Sequence, residues 1–180
     1  SKSIQRSSRR NNRRLEKLGD FQYEFSDSHS DFDRLAHQFL QLEMSGWKGK
    51  IGTALGCNES SRQFYEEFVS RSATDGKARF TSAILNGEPI AMLSDIETGS
   101  HIHSFKTAYD EEFSAYSPGL QTEVRNLEAM HQDGIMFADS CTVSDNSTIN
   151  RVWGQKVKFQ NVVLGVSRGV PQKAISIMPA

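Results

Sequence analysis

Asn86-Gly87 stands between two apolar stretches, Arg79 to Leu85 and Pro89 to Ile96, and no other feature of the chain restricts its fold as much. Both residues accept the positive φ that a type I′ turn needs at its centre, so a tight antiparallel hairpin is predicted. Gly99 then separates a third strand, His101 to Ala108. A sheet of at least three strands therefore occupies the middle of the chain.

Helical spacing flanks that sheet. From Asp31, residues Phe32, Leu35, Ala36, Phe39 and Leu40 recur at helical intervals, with Ser30 as the expected N-cap and Ser45-Gly46 as the end. Gly46, Gly49, Gly52 and Gly56 read as a loop. A second helix, capped by Asn58 or Ser60, carries Phe64, Tyr65, Phe68 and Val69 as its stripe and stops at Asp75-Gly76. Before both, Phe21 to Phe25 alternates apolar and polar as a short strand.

After the sheet, Tyr109 to Tyr116 has no clear period. Ser117 suits an N-cap and Pro118 the first helical position, with Leu120, Val124, Leu127 and Met130 as the buried face. Ile135 to Ala138 reads as a short buried strand, followed by a small helix near Ser147 to Trp153 and a last strand within Lys158 to Val166. The predicted order is β-α-α-β-β-β-α-β-α-β, an α/β (α+β layered) domain with helices on both faces of a mixed central sheet.

Length and charge set the organisation. A chain of 180 residues, 37% of them hydrophobic, supports one core and not two. The formal net charge of -1 argues against binding nucleic acid through the overall field. Residues 1–20, however, hold Lys2, Arg6, Arg9, Arg10, Arg13, Arg14 and Lys17 against only Glu16 and Asp20. We expect a basic helix or linker over 1–20, the main domain over 21–170 and a tail over 171–180. Cys57 and Cys141 form no disulfide framework, and reduced thiols in a cytoplasmic protein are expected. No apolar run approaches the length of a membrane span. The chain opens on Ser1 rather than Met and reads as a processed or excised piece of something longer.

Several segments together resemble one family. They are Phe39-Leu40-Gln41-Leu42-Glu43-Met44-Ser45-Gly46-Trp47-Lys48-Gly49 with Gly52-Thr53-Ala54-Leu55, then Lys106-Thr107-Ala108-Tyr109-Asp110-Glu111, Tyr116-Ser117-Pro118-Gly119-Leu120 and Asp139-Ser140-Cys141. Arg13-Arg14-Leu15 with Leu18-Gly19 extends the likeness to the start. The chain resembles the C-terminal half of GNAT-superfamily acyltransferases associated with cellulose and exopolysaccharide biosynthesis. Those are about twice this long and related in build to Fem-type aminoacyl transferases, so the resemblance also implies a preceding GNAT-like half.

The resemblance implies coenzyme A chemistry, with acetyl-coenzyme A as the expected donor. Its pyrophosphate would rest at Ser117, Pro118, Gly119 and Leu120, because the first turn of a helix offers unpaired N–H groups and a partial positive charge. Pro118 donates nothing, and the longer glycine-rich signature is absent. Transfer to an amine or hydroxyl needs a base, stabilisation of developing negative charge, and an acid for the thiolate. Asp110 is the candidate base, with Glu111 or Asp139 as substitutes. Tyr109 or Tyr116 would protonate the thiolate. Lys106 would orient an acceptor or stabilise charge, and Trp47 and Lys48 would meet the small-molecule or saccharide acceptor.

Ordinary structural roles compete at each position. His101 and His103 share one side of a strand, but no third ligand accompanies them and no metal is expected. Cys141 has no base in sequence to make it a nucleophile. Two other functions compete with acetyl transfer: a Fem-like transferase using aminoacyl-tRNA, and a non-catalytic module that keeps the fold.

Overall fold

The computed structural model describes residues 2–157, with the Lys2 side chain left aside. The strand expected within Lys158 to Val166 lies outside the described residues. Helix α1 (Lys2–Leu15) precedes strand β1 (Phe21–Phe25), then come α2 (Phe32–Ser45), a short α3 (Trp47–Lys50) and α4 (Glu59–Thr74). Strands β2 (Ala78–Leu85), β3 (Glu88–Thr98) and β4 (His101–Tyr109) follow, then α5 (Pro118–Gln132) and β5 (Phe137–Asp139). The five strands form one sheet in chain order, antiparallel except for the parallel pair β4–β5. The expected mixed sheet with helices is thus observed.

Local chemistry accounts for most boundaries. Asn86 (φ 53°) and Gly87 (φ 85°) build the turn between β2 and β3 as expected. Asn58 caps α4, its side chain accepting from the amides of Ser60 and Ser61. The cap of α2 is Asp31 rather than Ser30: Asp31 Oδ1 accepts from the Arg34 amide, while Ser30 Oγ is engaged with Asp27. The glycine-rich loop is partly helical. Gly49 makes that possible, since a Cβ there would lie 1.8 Å from the carbonyl oxygen of Met44, so α3 folds tightly back on the end of α2.

The helices cover both faces of the sheet. Under α2 and α4, Phe39, Leu40, Tyr65 and Val69 pack on Phe80, Met92 and Ala108. Full burial of such side chains contributes about 1.5–3 kcal/mol each. On the opposite face Leu15 of α1 packs with Ala83, Leu85, Ile90 and Ala91, flanked by Tyr109, Phe113 and Tyr116. The basic segment is therefore a docked helix whose arginines face outward: Asn11 Nδ2 donates to the Tyr116 carbonyl at 2.8 Å, and the Arg14 guanidinium stacks over the Tyr116 ring.

Three expectations change. The buried side of α5 is largely polar, comprising Gln121, Thr122, Glu123 and Asn126 beside Val124 and Met130, with Leu120 and Leu127 only half-buried. And Ile135 to Ala138 is not buried: β5 starts at Phe137, itself exposed, after an exposed Met136. The helix expected near Ser147 to Trp153 is a single 3₁₀ turn, Ile149–Arg151. Among the described residues no helix is long and apolar enough to cross a membrane.

A bulge in β4 prepares the site. Ser94 pairs with Lys106 and Asp95 with Ser104, so Phe105 is an extra residue. As a result Phe105 joins the core under α4 while Lys106, its neighbour, reaches Glu43 of α2 on that same side.

Candidate functional site

Strands β4 and β5 are paired only from His101–Phe137 to His103–Asp139. Beyond that point β4 runs on to Tyr109 while the chain after Asp139 turns away, through Cys141 at φ 48°. The parting opens a cleft of about 440 Å³. Its walls come from both sides of the sheet: Trp47 and Lys48 of α3, Phe105 to Thr107 and Tyr109 of β4, Gly119, Leu120 and Glu123 of α5, and parts of 140–149.

The cleft brings together six of the expected residues: Trp47, Lys48, Lys106, Tyr109, Gly119 and Leu120. Gly119 packs closely, because a Cβ there would sit 3.4 Å from Tyr109 Cδ1 and 3.5 Å from Thr107 Cγ2. The other four lie off its walls. Asp110 caps the 3₁₀ turn Glu111–Tyr116, accepting from the Glu112 amide at 2.9 Å. Tyr116 is held against α1. Ser117 adopts a left-handed conformation (φ 52°) with no side-chain cap bond, and Pro118 is buried at the first helical position.

The substitutes for Asp110 are engaged too. Glu111 accepts from the Trp47 amide at 2.7 Å and from Lys50 Nζ at 2.6 Å, contacts that hold its carboxyl below the usual range. Asp139 Oδ1 accepts from the Cys141 amide. Partial desolvation and the Asp139 and Asp95 carboxylates push the Cys141 thiol above its ordinary value, which disfavours a nucleophilic thiolate.

Two acidic residues not anticipated from sequence complete the site. Glu43 of α2, whose side chain is 1% exposed, accepts at Oε1 from Lys106 Nζ (2.7 Å) and Lys48 Nζ (3.2 Å) and at Oε2 from the Leu55 amide (2.8 Å). Burial alone would raise its pKa, but these hydrogen bonds and the two ammonium charges hold it below the ordinary value, so it is a carboxylate. Lys48 also donates to the Thr107 carbonyl at 3.1 Å.

Glu123 is the opposite case. It is buried in the cleft wall, with Trp153 Nε1 donating to its Oε1 at 2.7 Å. Burial, reinforced by the Asp95 carboxylate and opposed by the Trp153 bond, pushes it up to about 7. Asp95, bonded to Asn126 of α5, is itself pushed up by burial to about 6. A carboxyl poised near neutrality in a cleft is suited to proton transfer. Both Glu43 and Glu123 interrupt apolar helical stripes, and that interruption is the signal in sequence that would have marked them.

The sequence model of the acetyltransferase (GNAT) domain matches residues 2–146. Among solved structures, a probable acetyltransferase aligns with TM-score 0.55 at 12% identity over 82% of this chain and 99% of its own. A possible acetyltransferase from Clostridium difficile 630 gives 0.53 at 12% identity, with the same shares covered. An aminoglycoside acetyltransferase from an uncultured soil metagenomic sample, in complex with sisomicin, gives 0.51 at 10% identity over 83% of this chain and 96% of its own. At such identities the likeness is one of fold. No curated protein matches.

Proposed function

The chain belongs to the GNAT acetyltransferase domain family and is an acyltransferase of the acetyl-coenzyme A type, and from that premise we propose that it transfers an acetyl group directly to an amine or hydroxyl at the β4–β5 cleft. The observation that carries this reading is the cleft itself, which joins a helix start at Gly119 and Leu120, a buried carboxyl at Glu123 and a lysine pair in one space. Acetyl-coenzyme A fits as donor substrate where the amides of Gly119 and Leu120, in the first turn of α5, lack helical partners.

The donor supplies a thioester. In our reading Glu123, rather than Asp110, removes the proton from the acceptor as its nitrogen or oxygen bonds to the carbonyl carbon. Lys106 orients the acceptor, and the Tyr109 phenol protonates the sulfur as the carbon–sulfur bond breaks. Trp47 and Lys48 border the acceptor. The segment likenesses to the exopolysaccharide-associated type support a saccharide or other cell-envelope acceptor.

Excess acetyl-coenzyme A is expected to raise the thermal midpoint, since a ligand of the native state stabilises it by RT ln(1 + [L]/Kd), and Gly119→Asp should abolish the rise. Absence of any rise would defeat the reading. Glu123→Gln should keep that rise yet lower kcat/KM by about 10²- to 10⁴-fold, the ordinary worth of a positioned base.

A further inference from the structure

The lysine pair says something about the acceptor. Lys48 and Lys106 share one oxygen of a single carboxylate, Glu43 Oε1, so the group of three carries a net charge of +1. An ammonium has three donors. Lys48 uses two, on Glu43 and the Thr107 carbonyl, and Lys106 uses one, on Glu43. Three N–H donors therefore remain, on side chains that are each 26% exposed and that line the cleft. The nearby Lys50 and Glu111 neutralise each other at 2.6 Å, and Trp47, 50% exposed, borders the same mouth. The buried Glu43 carboxylate anchors both ammonium groups at the mouth of the cleft.

We propose that this mouth is an anion receptor, and that the acceptor carries a carboxylate or phosphate which docks on Lys48 and Lys106. The inference rests on the acetyl-transfer reading above. It follows from sign and position: a polycationic acceptor would meet a surplus positive charge here, whereas a monoanion completes the unused donors. The donor's pyrophosphate has its own place at Gly119 and Leu120, which reach the cleft from α5, on the other side of the sheet from α2 and Glu43.

The experiment is calorimetric titration of the coenzyme A-saturated protein with two product-like pairs. They are N-acetylglycine against N-acetylglycinamide, and N-acetylglucosamine 6-phosphate against N-acetylglucosamine. In at least one pair the anion should bind tenfold or more tightly than its neutral twin, and Lys48→Met and Lys106→Met should each erase most of that preference. Lys48→Arg should retain it, and Glu43→Gln, which adds a net positive charge, should not weaken it; these two variants decide the matter if the methionine variants fail to fold. Equal binding within both pairs, or no binding by either anion, would overturn the proposal. So would a lysine variant that loses acetyl-coenzyme A stabilisation while keeping the anion preference, because the cations would then serve the donor. A protein that never responds to acetyl-coenzyme A would instead sink the acyl-transfer reading itself.

Discussion

The two faces of the sheet are built on different principles. Under α2 and α4 the contact is aromatic and dry, with Phe39 set 5.3 Å from Tyr65 and 6.4 Å from Phe80 between ring centroids. Under α5 the helix buries Gln121, Thr122, Glu123 and Asn126, with Asn126 Nδ2 donating to Asp95 and Thr81 Oγ1 donating to Asn126 Oδ1 at 3.0 Å. The first face supplies stability mainly by apolar burial, with the buried Glu43 and its two lysines at its edge. The second holds two acids away from water and keeps them partly protonated, which costs stability but leaves a carboxyl ready to exchange a proton beside the cleft. The acids that can exchange a proton thus stand across the sheet from the aromatic core.

The contrast can be broken most severely on the dry face. Phe39→Ala, at a side chain with 0% exposure, should lower unfolding free energy by about 3–5 kcal/mol, measured by urea denaturation. A loss under 1 kcal/mol would mean that α2 is not clamped as described.

The polar face should reveal itself through pH. Glu123 and Asp95, with pKa values raised to about 7 and about 6, hold protons more tightly in the native state than in the unfolded chain. Their favourable contribution is complete below about pH 4 and drains away as pH rises through 6 and 7. For Glu123 alone the loss is on the order of 3 kcal/mol. Thermal midpoints should therefore fall more steeply from pH 5 to pH 8 in the wild type than in Glu123→Gln, and parallel profiles would contradict the buried acid.

Helix starts sharpen the comparison further. Asn58→Ala should cost about 1 kcal/mol, because its side chain caps α4. Ser117→Gly should be neutral or slightly stabilising, by about 0.5 kcal/mol, since Ser117 makes no side-chain cap bond and holds a positive φ that glycine adopts freely. A clear destabilisation would show that the serine hydroxyl does more at the start of α5.

Much of the fold was legible in sequence for reasons now visible. The Asn86-Gly87 turn and the stripes Phe39-Leu40 and Tyr65-Val69 are local patterns that tertiary packing reinforces. The polar residues on the buried face of α5 are not legible in sequence, because what meets them is remote: Asp95 of β3, which binds Asn126, is 31 residues away from it. The site was harder for the same reason. Lys106, Tyr109 and Gly119 lie in one stretch of sequence, but Glu43 is 63 residues from the lysine it holds. Asp110 stands beside them in the chain and yet spends its carboxylate on a turn, a preference that proximity in sequence does not disclose.

The extra residue at Phe105 has a consequence for how this strand can vary. A β-strand alternates sides strictly, and the bulge is a phase slip in that alternation: Phe105 and Lys106 fall on one side, and Thr107 and Tyr109 then point to the other. Deleting a single residue there would restore perfect alternation and thereby invert one half of the strand relative to the other. Lys106 and Tyr109 could not both keep their places. The length of β4 between Ser104 and Lys106 is therefore as much a part of the site as the identity of any side chain in it, and insertions or deletions there should be tolerated far less than substitutions.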